Sequence, residues 1–271
     1  MPNLNQIYSL KENFYQLTAK DKQVKEYIEK SEARDTIQKS FNSRSFLESR
    51  EETRLISFLT ESLSVKPGLI KYFEEAKEED VCLLFIDITS FSKTICGWPN
   101  SEIKVYLDDY YNRIIPIIYN NGGEIEKLLG DGIICVFGKP FLNLNSPDYV
   151  YKAEECAEEV IKEFHGTDKN VKVAIHKGEI NYYKVPGEHY GEYTMIGQPI
   201  TELYRLESVS MPNSINFYDD STYDELGWSF SRFSNKIDLE KTKVSCRKIP
   251  INPLQGVNFS KLGYLQFPNY K

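Results

Sequence analysis

The run Gly122-Gly123-Glu124-Ile125-Glu126-Lys127-Leu128-Leu129-Gly130-Asp131-Gly132 constrains this chain more than any other stretch. Residues 124–129 and 133–137 read as two strands. The Gly130-Asp131-Gly132 turn between them is a hairpin signature, because glycine supplies the positive φ that a tight turn needs. Such a hairpin puts Asp131 at its tip and Lys127 on the incoming strand. A second aspartate, Asp87, closes the apolar run Val81-Cys82-Leu83-Leu84-Phe85-Ile86. With the hairpin paired beside that strand, the two carboxylates converge in an arrangement suited to divalent cations. Taken singly, each aspartate is an ordinary turn-former or helix cap.

Strands and helices alternate from residue 81 onward. Continuous apolar character makes 81–88 a buried strand. Residues 101–120 predict a helix with Ile103, Tyr106, Leu107, Tyr110, Ile114 and Ile117 on one face and a kink at Pro116. A helix over 148–164, a strand over 171–176, a Gly- and Tyr-rich stretch to Tyr193 and a helix over 199–208 follow, then short strands at 214–217, 244–248 and 263–267. This order predicts an α+β sandwich. Residues 1–78 are highly charged, with apolar residues at helical spacing such as Phe46, Leu47, Leu55, Ile56, Phe58 and Leu59. They read as a helical extension for packing or dimer contacts, ahead of a catalytic domain over 79–271.

The 271 residues include 41% hydrophobic ones, enough for a sizeable core. A net charge of −7 argues against sequence-independent nucleic-acid binding, which needs many phosphates neutralised, but leaves room for a small anion held by a local cluster. The longest apolar run is too short to cross a bilayer and residues 1–20 have no secretory apolar core, so the expected location is the cytoplasm. Five cysteines without metal-type spacing are expected to be reduced thiols with no chemistry.

After Asp87, the turn Ile88-Thr89-Ser90-Phe91-Ser92 would open a helix and offer backbone N–H groups to phosphate oxygens. Asp87 to Phe91, together with Gly-Gly-x-x-x-Lys-x-x-Gly-Asp-x-x-x-x-x-Phe over 122–137, resembles the class III nucleotidyl cyclases in motif, order and separation. So do Val173-Ala174-Ile175-His176-Lys177-Gly178-Glu179 and the run 196–206, where Arg205 falls on the family's helix arginine and Thr201 falls where an asparagine usually stands. The resemblance implies the family's catalytic domain, a ferredoxin-like βαββαβ core with extra strands and helices, and a head-to-tail homodimer with shared sites. It implies two Mg²⁺ or Mn²⁺ ions on Asp87, Asp131 and the Ile88 carbonyl of one chain. Arg205 of the other chain would stabilise phosphate charge, as a permanently charged, bidentate donor can. The implied reaction is in-line attack of the ribose 3′-hydroxyl on the α-phosphorus, one ion lowering the hydroxyl pKa and the other neutralising the triphosphate. Gln255 stands where a phosphate-binding lysine is expected, with Lys248 and Lys261 as possible replacements.

By the same resemblance Lys127 and Thr194 read the base. The donor Lys127 argues against GTP, since guanine N1–H and N2–H call for an acceptor. Lysine with threonine suits adenine, uracil or cytosine. A short cyclase with a polar helical extension and no membrane span or sensor domain is similar to the Pycsar pyrimidine cyclases of bacterial anti-phage defence. That likeness favours UTP to cUMP, with CTP to cCMP and ATP to cAMP as alternatives. Phe91, Tyr182, Tyr183, Tyr190 and Tyr193 could narrow the pocket around a small base, although strand packing is the first expectation for most tyrosines. Thr201 and Gln255 leave a catalytically degenerate, nucleotide- or partner-binding domain as a different class of reading. A diguanylate cyclase is discounted, because Ile125 stands where that family needs an acidic residue.

Overall fold

The apolar run that predicts the first strand lies at the centre of the sheet. The computed structural model describes residues 75, 78–184, 193–219 and 245–267. Nearly all of the predicted helical extension, along with Tyr190 and Val244, lies outside them. The elements are β1 (Glu78–Ile88), α1 (Phe91–Thr94), α2 (Asn100–Asn120), β2 (Glu124–Leu129), β3 (Gly132–Phe137), α3 (Asp148–Phe164), β4 (Val171–Lys184), β5 (Tyr193–Ile196), α4 (Gln198–Val209), β6 (Ser214–Tyr218), β7 (Ser245–Pro250) and β8 (Lys261–Gln266). The sheet order is β2-β3-β1-β4-β6-β8-β7, with β5 paired to the far half of β4. The first four strands and their two crossover helices form the expected βαββαβ core.

Antiparallel pairing sets Phe85 opposite Ile134 in β3 and Ala174 in β4, which fixes the hairpin beside β1. Because side chains alternate across a strand, residues an odd number apart face opposite ways. Tyr149 of α3 donates to Asp80 Oδ2 at 2.6 Å, whereas Tyr204 of α4 packs edge-on against Phe85 with centroids 5.4 Å apart. Thus α3, with α2 against it, covers one face and α4 the other. This is why Val81 to Ile86 are buried on both sides and read as a continuous apolar run.

Three element expectations are corrected. The β4 strand does not stop at His176 but runs through Gly178 to Lys184, because α4 packs directly on that glycine. A Cβ at Gly178 would lie 2.3 Å from Pro199 Cγ. The predicted Gly- and Tyr-rich loop therefore begins as strand and returns as β5, pairing Asn181 with Ile196 and Tyr183 with Thr194. In α2 the buried stripe includes Tyr106, Tyr110, Ile114 and Ile118, so an i, i+4 series selects Ile118 over Ile117; Pro116 lies inside the helix. Cys82, Cys135 and Cys156 are buried thiols, pushed up by desolvation, as expected for small core side chains. Among the described residues no helix is long and apolar enough to cross a membrane.

Candidate active site

Asp87 ends β1 and Asp131 sits in the two-residue loop between β2 and β3, where Gly130 has φ +68°. Contacts with α2 and with β1 hold that loop in place. The Tyr111 hydroxyl of α2 donates to the Gly130 carbonyl, and the Asp131 carboxylate accepts from the backbone N–H of Ile88 and from its own. The aspartates meet side chain to side chain, so the convergence expected from the sequence occurs. Desolvation first and the charge of Asp131 second push Asp87 up to about 6, while desolvation raises Asp131. Two carboxylates held this close relieve their repulsion by sharing a proton or by binding a cation.

A lysine that the sequence reading passed over completes the cluster. Lys172 faces Asp87 across the β1–β4 ladder, its Nζ 3.3 Å from Asp87 Oδ2 and 2.5 Å from Glu207 Oε1 of α4. A charged residue inside an otherwise apolar strand is the signal that could have flagged it. Among the described residues no group of three or more His, Cys, Asp or Glu forms a metal cage. The two carboxylates of Asp87 and Asp131 are oxygen donors of the kind that suit a hard cation such as Mg²⁺, which takes few protein ligands and completes its shell with water and phosphate.

The turn after β1 is less open than expected. Thr89 N–H is committed to the Asn170 carbonyl at 2.7 Å, and its buried Oγ1 has no partner among the described residues. Ser90 adopts φ 60° and caps the four-residue α1. Phe91 packs against Tyr106 with centroids 6.1 Å apart.

Lys127 follows a β-bulge in β2 and is half-buried, as is Thr194 on β5. On α4, Thr201 and Arg205 are exposed on one face, with Glu202 buried between them. Glu202 anchors the helix: its Oε2 is 2.8 Å from His176 Nε2, and the Tyr218 hydroxyl donates to its carbonyl. Gln198 donates to the Gly256 carbonyl at 2.6 Å, bringing the loop that carries exposed Gln255 to the start of α4. Lys248 is engaged with Asp219 at 2.5 Å, and Lys261 is exposed. Tyr182 is buried and donates to the Lys139 carbonyl, a packing role, while Tyr183 is exposed. Tyr190 and the side chain of Tyr193 lie outside the described residues.

A profile of the family described as the adenylate and guanylate cyclase catalytic domain matches residues 73–248, more than half of the chain. The chain belongs to this cyclase family. The uncharacterized protein Rv1320c of Mycobacterium tuberculosis is 26% identical over 132 residues, covering 48% of this chain and 23% of that protein. A second uncharacterized protein of that organism, Rv1318c, is 25% identical over 132 residues, covering 48% and 24%. The matched region thus spans about a quarter of these curated relatives. The cyclase fold is shared with the adenylyl cyclase CyaB from P. aeruginosa at TM-score 0.57 and 19% identity, covering 72% of this chain and 97% of that one. It is shared also with the guanylate cyclase domain of RhGC from Catenaria anguillulae, solved in complex with GTP, at TM-score 0.55 and 20% identity, covering 72% and 100%. The chain is thus a nucleotidyl cyclase domain by family and by fold.

Proposed function

We propose that this cyclase domain converts a pyrimidine nucleoside triphosphate, UTP before CTP, to its 3′,5′-cyclic monophosphate and pyrophosphate, as a second messenger in anti-phage defence. The observation that carries the reaction is the Asp87–Asp131 pair at the end of β1. Asp87, Asp131 and the Ile88 carbonyl would hold Mg²⁺ or Mn²⁺, which when bound lower the pKa of the attacking hydroxyl and neutralise phosphate charge.

The chain's own residues orient the rest. Lys172 pairs with Asp87 from β4, and the Tyr111–Gly130 contact ties the loop that carries Asp131 to α2. Ser90 and Phe91 flank the phosphates through the turn after Thr89. In a homodimer with sites at the interface, Arg205 of the second protomer meets the triphosphate as charge develops on it, and Thr201 donates to a ribose or phosphate oxygen. The O3′–Pα bond forms as the bond from Pα to the leaving pyrophosphate breaks, and the 3′-hydroxyl proton passes to solvent. Residues 79–271 make this catalytic unit, with 1–78 as an extension to it.

Lys127 and Thr194 support the choice of base. An ammonium donates to a uracil or cytosine carbonyl and offers guanine N1–H and N2–H nothing to bond. The same pair also suits adenine N1 and N6, so ATP is the rival substrate. Incubating the protein with Mn²⁺ and each of the four NTPs, with products separated by mass, tests both. cUMP as the main product is expected. Exclusive cAMP would overturn the pyrimidine assignment, and no cyclic product from any NTP would point to a catalytically degenerate domain.

A further inference from the structure

In the β2–β3 ladder Ile125 pairs with Cys135 and Lys127 with Ile134, so Glu126 is an extra residue on one strand. A bulge of this kind re-aims the side chains that follow it. Glu126 is half-buried, and its carboxylate accepts a hydrogen bond from the backbone N–H of Met195 on β5. Desolvation raises it to about 7 despite that hydrogen bond and the neighbouring charge of Lys127, with Glu124 adding to the rise. Its charge is also felt by Tyr182 of β4 and Tyr204 of α4, whose hydroxyls are pushed up by burial first and by Glu126 second.

One carboxylate therefore links the strands that carry Lys127 and Thr194 and lies close enough to α4, which carries Arg205, for its charge to be felt there. Its neighbour in sequence is Lys127. The residue it bonds, Met195, is the neighbour of Thr194. Tyr204 is the neighbour of Arg205. A desolvated carboxylate is a poor source of stability compared with an apolar side chain of similar size.

We propose that Glu126 is a positioning residue for base selection, tying the β2 bulge to β5 so that Lys127 and Thr194 present a fixed pair to the base. The inference rests on the proposed base-reading roles of those two residues. Glu126→Leu removes the acceptor for Met195 N–H, and Glu126→Gln keeps an acceptor oxygen at similar size. Glu126→Ala serves the same measurement should the leucine variant fail to fold.

The test is equilibrium binding of the α,β-methylene analogues of UTP, CTP, ATP and GTP to the full chain with Mn²⁺, alongside turnover of the four NTPs. For Glu126→Leu, the ratio of affinities between the preferred base and the next is expected to shrink about tenfold, and Glu126→Gln is expected to stay within about twofold of the parent. A leucine variant that weakens all four analogues equally, or leaves the ratio untouched, overturns the inference. Lys127→Ala separates the two levels. If it changes the ratio and Glu126→Leu does not, the base-reading pair stands and only the role of Glu126 falls. If Lys127→Ala leaves the ratio unchanged, the base-reading assignment falls and this inference with it.

Discussion

Lys172 faces Asp87 across two adjacent strands, its Nζ 3.3 Å from Asp87 Oδ2, and the second aspartate of the site lies on the other side of that carboxylate. Both Asp87 and Lys172 keep 20% of their side-chain surface, so neither is fully shielded by water. The lysine draws Asp87 toward ionisation, while desolvation and Asp131 drive it the other way and prevail, leaving the carboxyl at about 6.

A pH dependence with a definite sign follows. A carboxyl raised from 3.8 to about 6 binds its proton more tightly in the folded chain, so the metal-free protein loses stability as pH rises from about 4 to about 6. Cation binding runs in the opposite direction, because the shared proton must leave. The affinity for Mn²⁺, measured by calorimetry, is expected to fall about tenfold per pH unit below about 6. An affinity constant between pH 5 and 7 would count against the aspartate pair as the binding site.

Neutralising one aspartate separates activity from stability. In Asp87→Asn the carbonyl oxygen and the shape remain, but the desolvated charge beside Asp131 is gone. Cyclic nucleotide production is expected to be lost, while the metal-free protein at pH 7.5 melts about 2–4 °C higher, the shift that about 1 kcal/mol produces at this chain length. Parent-like turnover would refute the assignment of Asp87, and a lower melting temperature would refute the electrostatic argument.

Most of the path to this site was legible in the sequence, for physical reasons. The Gly130-Asp131 turn and the continuous apolar run before Asp87 are local signals, and the pairing that joins them is forced once both faces of β1 must be buried. The 17-residue helix α3 was read to the residue, since its apolar period is unbroken. What escaped depends on contacts between elements distant in sequence. Lys172 stands out in the sequence as a charge inside an apolar strand but gains its partner only from the β1–β4 register, Glu126 gains its role from a bulge that leaves no compositional trace, and the continuation of β4 through Gly178 follows from the approach of Pro199. The openness of the turn at Thr89 was overestimated because Asn170, 81 positions away, takes its N–H.

The helix that carries Thr201 and Arg205 is held by a buried polar contact, and breaking half of it is expected to be costly. His176 is 3% exposed and Glu202 8% exposed, with Nε2 and Oε2 2.8 Å apart, and His176 Nδ1 already lacks a partner among the described residues. Glu202→Leu strands the remaining ring nitrogen in the interior, a loss of about 1–3 kcal/mol in urea unfolding. Replacing both residues, His176→Phe with Glu202→Leu, is expected to cost less than the two single changes summed. Strict additivity would mean that the pair does not act as a unit.

Shared sites make a prediction that no single-chain arrangement would. On the proposed arrangement, in which one protomer contributes Asp87 and the other Arg205, a dimer of Asp87→Ala with Arg205→Ala contains one site bearing both lesions and one bearing neither. Random exchange makes half of the dimers mixed, and each mixed dimer has one working site of two. The equimolar mixture is thus expected to recover about one quarter of the parent activity, although each variant alone is inactive. Mixing at a series of ratios, with subunit exchange followed by differential tags, measures this directly. An inactive mixture in which tagged chains have demonstrably exchanged would place Asp87 and Arg205 in the same protomer's site.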